Sequence, residues 1–507
     1  MSQKVVIIGA GIGGLATANL LQKAGYEVHV YEKGSQLGGR AGWKKAAGFS
    51  FDTGPSWYLM PAVFRQYFDL FDVSADKALE LIRLSPAYKV FYETSDPITI
   101  TGNLKKDSAT FERNEAGAGK ALERYVAESD ELYQLSLRHF LYTNFERPTE
   151  LLHSDIIRRI PVLVQFLSKS VHRRVASFVR TQTLQQILEY PMVFLGSSPF
   201  SAPSMYSLMS ALDFKDGVYY PKRGIHAIIN LLEKVGTSLG VTYHLNSPVR
   251  RITSQSGRAT GIILENNTRI DADIIISNAD LYFTETKLLV ESDQSYPESY
   301  WKKKESGISA LLIYLGVKGS LPALQHHNLL FVDDWKQNFT DIYDRKQIPE
   351  SASLYVCKPS ATDPNVAPKG HENLFVLVPL PTGVFPTKKQ LEKLGERFIS
   401  QLASAIKRPD LKEHIVYQEL FGPGDFKGTY NAWQGSALGA SHLLKQSAFW
   451  RTPNKSKKLS GLYYVGGNTV PGVGLPMCLI GAELVYKRIM GIKKGGPVTE
   501  IIQKGAK

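Results

Sequence analysis

The sequence predicts an α/β protein of two or three domains, and three observations carry that reading. A short buried run, Val5–Ile8, opens directly into a glycine turn and a helical pattern at Leu15–Ala24, followed by a second apolar run at Val28–Tyr31. The same strand and helix signals return far down the chain, around 240–279 and 462–490. At 507 residues the chain is well beyond the roughly 250–300 at which single hydrophobic cores stop growing.

Each region breaks into recognisable elements. In the first, Gly25 is the C-terminal stop of the helix. In the second, the runs Val241–His244, Val249–Thr253, Ala259–Leu264 and Arg269–Ala272 predict a small sheet that returns to a buried strand, Ile274–Ser277. In the third, strand Leu462–Val465 leads through the loop Gly466–Leu475 into a helix at Met477–Met490. Two long insertions separate these regions. Glu115–Tyr190 is helix-rich, and Ile308–Leu380 is strand-rich, with runs at Ala310–Val317, Leu329–Val332, Ala352–Val356 and Leu374–Val378. The lysine- and glycine-rich tail from Lys493 is expected to fray.

Composition narrows the function classes. Hydrophobic residues make up 43% and charged residues 21%, an ordinary globular balance. The two cysteines, Cys357 and Cys478, lack metal-ligand spacing, which argues against a disulfide framework and a zinc site and suits a reducing cytoplasm. The N-terminus runs into a strand with no signal-peptide pattern before it, and no apolar run reaches the ~18 residues of a membrane span. Net charge is +13, but no zinc-finger spacing or aromatic RNA-binding signature accompanies it, so a nucleic-acid partner is not expected.

The charge is concentrated instead. Between Leu151 and Arg180 stand Arg158, Arg159, Lys169, Arg173, Arg174 and Arg180 against one acid, Asp155. They alternate with Ile156, Ile157, Ile160, Val162, Leu163, Val164, Phe166, Leu167, Val171, Val175 and Phe178. This pattern fits a membrane-surface helix, and it equally fits a solvated helix face packed on its own domain.

The strongest motif is Gly9-Ala10-Gly11-Ile12-Gly13-Gly14. It follows a strand, opens a helix, and precedes an acid, Glu32, at the end of the next strand. Gly9 permits the tight turn, Gly11 lets the backbone approach a pyrophosphate, and Gly14 allows close helix–strand packing. The helix N-terminus then faces the phosphates, and Glu32 can accept hydrogen bonds from ribose hydroxyls. The motif alone does not separate NAD from FAD. Leu37-Gly38-Gly39-Arg40 adds a second close backbone approach and a cation within reach of the pyrophosphate. Asp52-Thr53-Gly54-Pro55-Ser56-Trp57 adds another tight turn.

The order of these motifs resembles the flavin amine oxidase and carotenoid dehydrogenase superfamily. At the C-terminus, Gly466-Gly467-Asn468-Thr469-Val470-Pro471-Gly472-Val473-Gly474-Leu475-Pro476 resembles the signature of bacterial-type phytoene desaturases. Gly217–Gly224, Ala361–Pro368 and Gln446–Trp450 are also similar to that family, so the resemblance runs from about residue 4 to 490. One departure stands out. Many lycopene-forming members read Gly-Ala-Gly-Thr-His-Pro-Gly where this chain reads Gly466-Gly467-Asn468-Thr469-Val470-Pro471-Gly472, a subfamily difference that bears on substrate and step number.

The resemblance implies a Rossmann-like FAD-binding domain, a substrate-binding sheet domain and a helical, membrane-associated region. The expected boundaries are 1–70, 221–290 and 440–492 for the first, 71–114, 205–220 and 291–439 for the second, and 115–204 for the third. The residues assigned to FAD are Gly9, Gly11, Gly13, Gly14, Glu32, Gly39, Arg40, Gly54, Pro55, Ser56, Val249, Gly467, Asn468 and Met477. The helix beginning near Met477 is expected to aim its N-terminus at the flavin edge where charge collects on reduction.

The implied reaction is desaturation of a C40, or C30, polyene by hydride transfer to flavin. Oxygen or a quinone would act as electron acceptor, on the cytoplasmic face of a membrane. Other oxidoreductases of the superfamily, such as an amine oxidase or a saturase, and a non-catalytic prenyl-chain carrier are the competing readings. No catalytic side chain and no metal site are assigned. His326 and His327, beside a strand, read as ordinary surface or core histidines, and Asp363 as a turn residue.

Overall fold

The computed structural model describes residues 3–146 and 153–505. Its first layer is a five-stranded parallel sheet in the order Leu462–Tyr464, Ile274–Ser277, Lys4–Ile8, Glu27–Tyr31, Thr242–His244. All three separated regions of the chain therefore contribute strands to one sheet. Alternation along Lys4–Ile8 explains why both faces are covered. Val5 and Ile7 point into a core shared with Leu15, Ile228 and Leu479 of the helices Ile12–Lys23, His226–Leu239 and Leu475–Met490. Val6 and Ile8 point the other way, against Ile252, Ile262 and Ile275, where a three-stranded antiparallel sheet (Val249–Gln255, Arg258–Leu264, Arg269–Asp271) closes the opposite face. A parallel strand buried on both faces reads as an unbroken apolar run, as this one does.

The second layer is a seven-stranded sheet in the order Ile415–Phe421, Ser309–Lys318, His371–Leu380, Leu354–Cys357, His327–Phe331, Tyr88–Tyr92, Ile98–Ile100. Leu311, Ile313 and Leu315 pack on helix Lys388–Ala405 through Phe398, Ile399 and Leu402. Ala310 and Leu312, on the other face, line an internal cavity. The four strand runs of the long insertion appear in this sheet, within a few residues of their expected ends. The edge strands Ile415–Phe421 and Ile98–Ile100 escaped notice because each shows only one apolar face or is very short.

Three expectations are corrected. The helix after the N-terminal glycine turn starts at Ile12 rather than Leu15, because the glycines continue into its first turn. A Cβ on Gly14 would lie 2.3 Å from the Gly9 carbonyl oxygen, so only glycine lets the helix begin this close to the strand.

The basic stretch, whose expected start at Leu151 lies outside the described residues, is not one amphipathic helix. It is three short helices, Ser154–Arg158, Ile160–Ser168 and Val171–Val175. Arg174 turns inward, its guanidinium 4.1 Å from the Phe166 ring and paired with Glu128, and Arg159 pairs with Glu131 at 3.0 Å. Arg158, Lys169, Arg173 and Arg180 remain exposed.

The C-terminal tail is docked rather than frayed. Val498 is buried and donates its amide to Glu483 Oε2 at 2.6 Å, Gln66 Nε2 donates to the Val498 carbonyl, and the Lys504 amide reaches the Ala24 carbonyl. Ile501 packs against the same core beside Val498, and the lysine-rich composition conceals these apolar anchors.

Candidate functional site: a dinucleotide cleft joined to an apolar cavity

The loops at the C-terminal ends of the parallel strands converge, as ligand sites in open α/β sheets do. Gly9, in a left-handed conformation at φ +92°, turns the chain out of Lys4–Ile8, and its amide donates to the Tyr31 carbonyl at 2.8 Å. Gly11 caps helix Ile12–Lys23 with no side-chain cap hydrogen bond, which leaves the positive end of the helix dipole available to an anion. The second glycine loop lies directly alongside. The Gly38 amide donates to the Ala10 carbonyl at 2.8 Å, and a Cβ on Gly39 would sit 3.4 Å from the Gly11 Cα. Gly54 in turn packs on the Arg40 carbonyl, with room for no Cβ.

Glu32 stands at the end of Glu27–Tyr31. One carboxylate oxygen accepts the Ala10 amide and the other the Gly34 amide, both at 2.8 Å. The carboxylate is therefore locked in orientation while each oxygen keeps a lone pair for a ligand hydroxyl.

Arg40 lies across the floor of the cleft, 5.6 Å from the Tyr430 ring, with one terminal nitrogen 3.4 Å from the Ser436 carbonyl. Its Nε is buried and has no protein partner. A half-buried guanidinium whose buried Nε is unused, beside two glycine loops and an open helix terminus, fits a pyrophosphate, so the residues present suit the ADP half of FAD.

The sequence-assigned residues come together here. All of them line one continuous cavity of about 1350 Å³ except Gly14, which sits beneath it. Gly13 borders Val465 and Asn278. Pro55 and Ser56 lie on the sheet side, with Ser56 Oγ 2.6 Å from the Tyr355 hydroxyl. Val249 opens the three-stranded sheet, and Met477 sits in the first turn of helix Leu475–Met490, which begins two residues earlier than predicted because Pro476 suits that turn. Asn468 receives the Ala440 amide at 2.8 Å and donates to Asp280 at 3.2 Å. The Gly467 and Thr469 carbonyls accept from the buried Arg451 guanidinium, which clamps the loop and whose own pKa burial lowers to about 10.

Sequence reasoning missed Asp280, Asn278, Arg451 and His442. Asp280 caps the turn after Ile274–Ser277, holding the Tyr282 amide at 3.0 Å, and burial pushes its carboxyl up. The polar trio Asn278-Ala279-Asp280 directly after a buried strand was the available signal. Asp363 is the expected turn residue, and it also accepts the Arg223 amide at 2.9 Å. His326 and His327 are core residues, each neutral through desolvation.

Beyond the dinucleotide cleft the cavity continues between the two layers and reaches the surface beside helix Ile160–Ser168. Leu163, Leu167, Leu444, Phe449 and Trp450 form this mouth. Around it Ile157, Ile160, Val162 and Val164 are exposed, and Trp450 is 60% exposed, an apolar rim that water alone does not account for. At about 1350 Å³ the space exceeds the ~300–1,000 Å³ of one small-molecule site, which leaves room for a second ligand beside a dinucleotide. No described helix is long and apolar enough to cross a membrane.

Comparison with known proteins agrees with this geometry. The profile of the flavin-containing amine oxidoreductases matches residues 12–485. A carotenoid 3,4-desaturase from Haloarcula japonica is 39% identical, covering 95% of this chain and 97% of its own. A zeta-carotene-forming phytoene desaturase from Myxococcus xanthus is 33% identical, covering 96% and 94%. The solved structure of putrescine oxidase with putrescine bound aligns over 97% of this chain and 99% of its own, with a TM-score of 0.63 at 15% identity, a likeness of fold alone. The glycine loops, Glu32, the unpaired Arg40 donor and the family match lead to one conclusion: the chain is an FAD-dependent member of the flavin-containing amine oxidoreductase family.

Proposed function

We propose that this protein desaturates a carotene-type polyene, phytoene towards lycopene, at the cytoplasmic surface of a membrane. The observation that carries this reading is the single cavity that joins the dinucleotide cleft to an exposed apolar mouth. A water-insoluble hydrocarbon needs such an entrance, whereas a cationic amine does not. The names of the relatives at 30–39% identity support the same substrate class.

Bound FAD supplies the two-electron acceptor for hydride from an allylic carbon. The protein's part is alignment. Ala310, Leu312, Leu329 and Leu377 give the cavity a flat apolar wall on the sheet side, and Trp57 stands next to the Gly54 turn, stacked 4.3 Å from His327. Arg451 grips the Thr469 carbonyl of the Gly466–Leu475 loop, and Asn468 within the loop is tied to the Ala440 amide, so that one edge of the cleft stays rigid while a long chain slides past it. The exposed rim of Ile157, Ile160, Val162 and Val164 enters the lipid interface, and Arg158, Lys169 and Arg173 face anionic headgroups. Electrons leave to oxygen or a quinone.

A second reading rests on the 39% identity to a carotenoid 3,4-desaturase: the substrate is an already conjugated carotenoid, desaturated at its end. Vesicles loaded with phytoene, a C30 precursor or lycopene, incubated with the FAD-loaded protein and followed by visible spectra, separate these. New absorbance from the colourless precursors supports the first reading. A red shift confined to lycopene supports the second, and no change with any polyene or acceptor overturns both.

A further inference from the structure

Two histidines and a cysteine meet in the wall of the seven-stranded sheet, behind the cavity and not lining it. Strand His327–Phe331 pairs antiparallel with Leu354–Cys357 in a register that sets His327 directly opposite Cys357. Residues opposite each other on neighbouring strands present their side chains to the same face. His326 joins them from the position just before the strand, its ring 4.6 Å from that of His327 and tilted by 69°. One ligand atom from each of the three lies within 4.8 Å of those of the other two. All three residues are buried, so the group is closed to solvent. Thirty residues of chain separate His327 from Cys357, which is why no spacing in the sequence reveals the set.

The hydrogen bonds around the group are those of ligand imidazoles. His326 Nδ1 lies 2.7 Å from Thr362 Oγ1, and His327 Nδ1 lies 2.7 Å from the Tyr355 hydroxyl. A metal-bound imidazole gives its other ring N–H to such an oxygen, which fixes the tautomer and the ring orientation. With its own hydrogen on Ser56 Oγ, 2.6 Å away, the Tyr355 hydroxyl keeps lone pairs for His327. Each Nε2 is buried and has no partner among the described residues. Two such nitrogens on adjacent rings call for an explanation, since buried polar atoms are almost always hydrogen-bonded. Trp57, stacked on His327 at 4.3 Å, and Tyr220, 4.6 Å from His326, keep the rings in place. The Cys357 thiol is free.

We propose that His326, His327 and Cys357 form a binding site for a single Cu(I) ion, held by both Nε2 atoms and the sulfur. Two imidazoles and a thiolate in a trigonal set are copper donors, whereas structural zinc takes four ligands. Among the described residues no fourth histidine, cysteine or carboxylate joins the three. Charge selects in the same direction. On loading, Cys357 gives its thiol proton to solvent, a Cu–S bond forms, and nothing is oxidised or reduced. The product of Cu(I) and a thiolate is neutral, which suits surroundings closed to solvent, and a divalent ion would leave a net charge there. Burial keeps both imidazoles neutral, the form that binds a metal. It also pushes the Cys357 thiol up to about 12, so a cation must bond sulfur strongly to displace the proton. Bonds of about 2.0–2.3 Å set ligand atoms about 3.5–4 Å apart, so closing the site asks for shifts of about 1 Å. The bound ion ties the strand pair to the turn at Gly54–Ser56, because His327 stacks on Trp57 and reaches Ser56 through Tyr355.

FAD-loaded protein titrated anaerobically with Cu(I), against a chromophoric Cu(I) chelator, should take up a single tight equivalent per chain. X-ray absorption at the copper edge should show one sulfur and two imidazole nitrogens. Cys357→Ala should lose the tight equivalent while keeping its FAD absorbance, and Cys478→Ser should retain the copper. Tyr355→Phe and Thr362→Val, which remove only the oxygen behind each ring, should weaken binding by about 10–100-fold, and they carry the test if Cys357→Ala does not fold. Absence of tight Cu(I) binding, copper retained by Cys357→Ala or lost from Cys478→Ser, a copper shell without sulfur, or unchanged affinity in both hydroxyl variants overturns the proposal. Zn(II) taken up where Cu(I) is not overturns it as well. None of these readouts depends on turnover, so the copper site stands or falls apart from the desaturase reading.

Discussion

Glu32 holds two backbone amides, Ala10 and Gly34, in addition to any ligand, and this double duty sets what its removal does. Glu32→Ala deletes the acceptor for both ribose hydroxyls, which should weaken FAD binding by about 2–4 kcal/mol. That is roughly a 30- to 1,000-fold rise in Kd, read by flavin fluorescence titration. Retention of full flavin at micromolar concentration would refute the assignment. The acid at the end of the second strand was legible from spacing alone. Its locking partners were not, because Gly34 and Ala10 meet it only when the turn after the strand folds back. Arg40 shows the same division: the sequence placed a cation near the pyrophosphate, and the fold left its Nε buried and unpaired.

Two elements behave differently from their composition. The tail is tied to helix Leu475–Met490 through Glu483, whose carboxyl burial raises from 4.5 to about 8. Lys487 and Gln66 act on it from the same helix and from helix Pro61–Asp69, and both favour the charged form. A raised folded-state pKa means that its contribution to stability is whole below about pH 4.5 and is lost as pH rises to about 8. Thermal unfolding between pH 6 and 9 should therefore show the wild-type Tm falling more steeply than that of Glu483→Gln; parallel slopes would contradict this. The second element is helix Ile160–Ser168. Replacing Ile160, Val162 and Val164 together by Asp should reduce sedimentation with anionic vesicles by about 100-fold, at about 1 kcal/mol for each half-immersed side chain. FAD content should not change, since none of the three lines the cavity. Neutralising exposed Arg158, Lys169 and Arg173 should lower the same binding and flatten its salt dependence. Vesicle binding unaffected by either set returns this stretch to a solvated helix face.

At the scale of the whole molecule, one chain presents one dinucleotide cleft, and the described residues hold no second glycine-rich strand–turn–helix unit with its acid. Turnover should accordingly proceed without NAD(P)H and depend on oxygen or an added quinone. Bleaching of a supplied polyene on addition of a reductant would instead indicate saturation. By itself the sequence determined the α/β class, the glycine turn with its acid, the C-terminal glycine-rich loop with the helix after it, and most strands of both sheets. These are local signals, written in the spacing of a few neighbouring residues. Only the tertiary structure decided which basic side chains face outward, where the tail docks, and that the cleft and the apolar mouth are one cavity. Arg174 turns inward because Phe166 and Glu128, from other helices, meet it there. His442 faces Gly472 across thirty residues of chain because Leu195 and Ser197, more than two hundred residues away, hold it. Such placements depend on long-range packing that no window along the chain contains, because each is set by whichever distant side chain fills the remaining space.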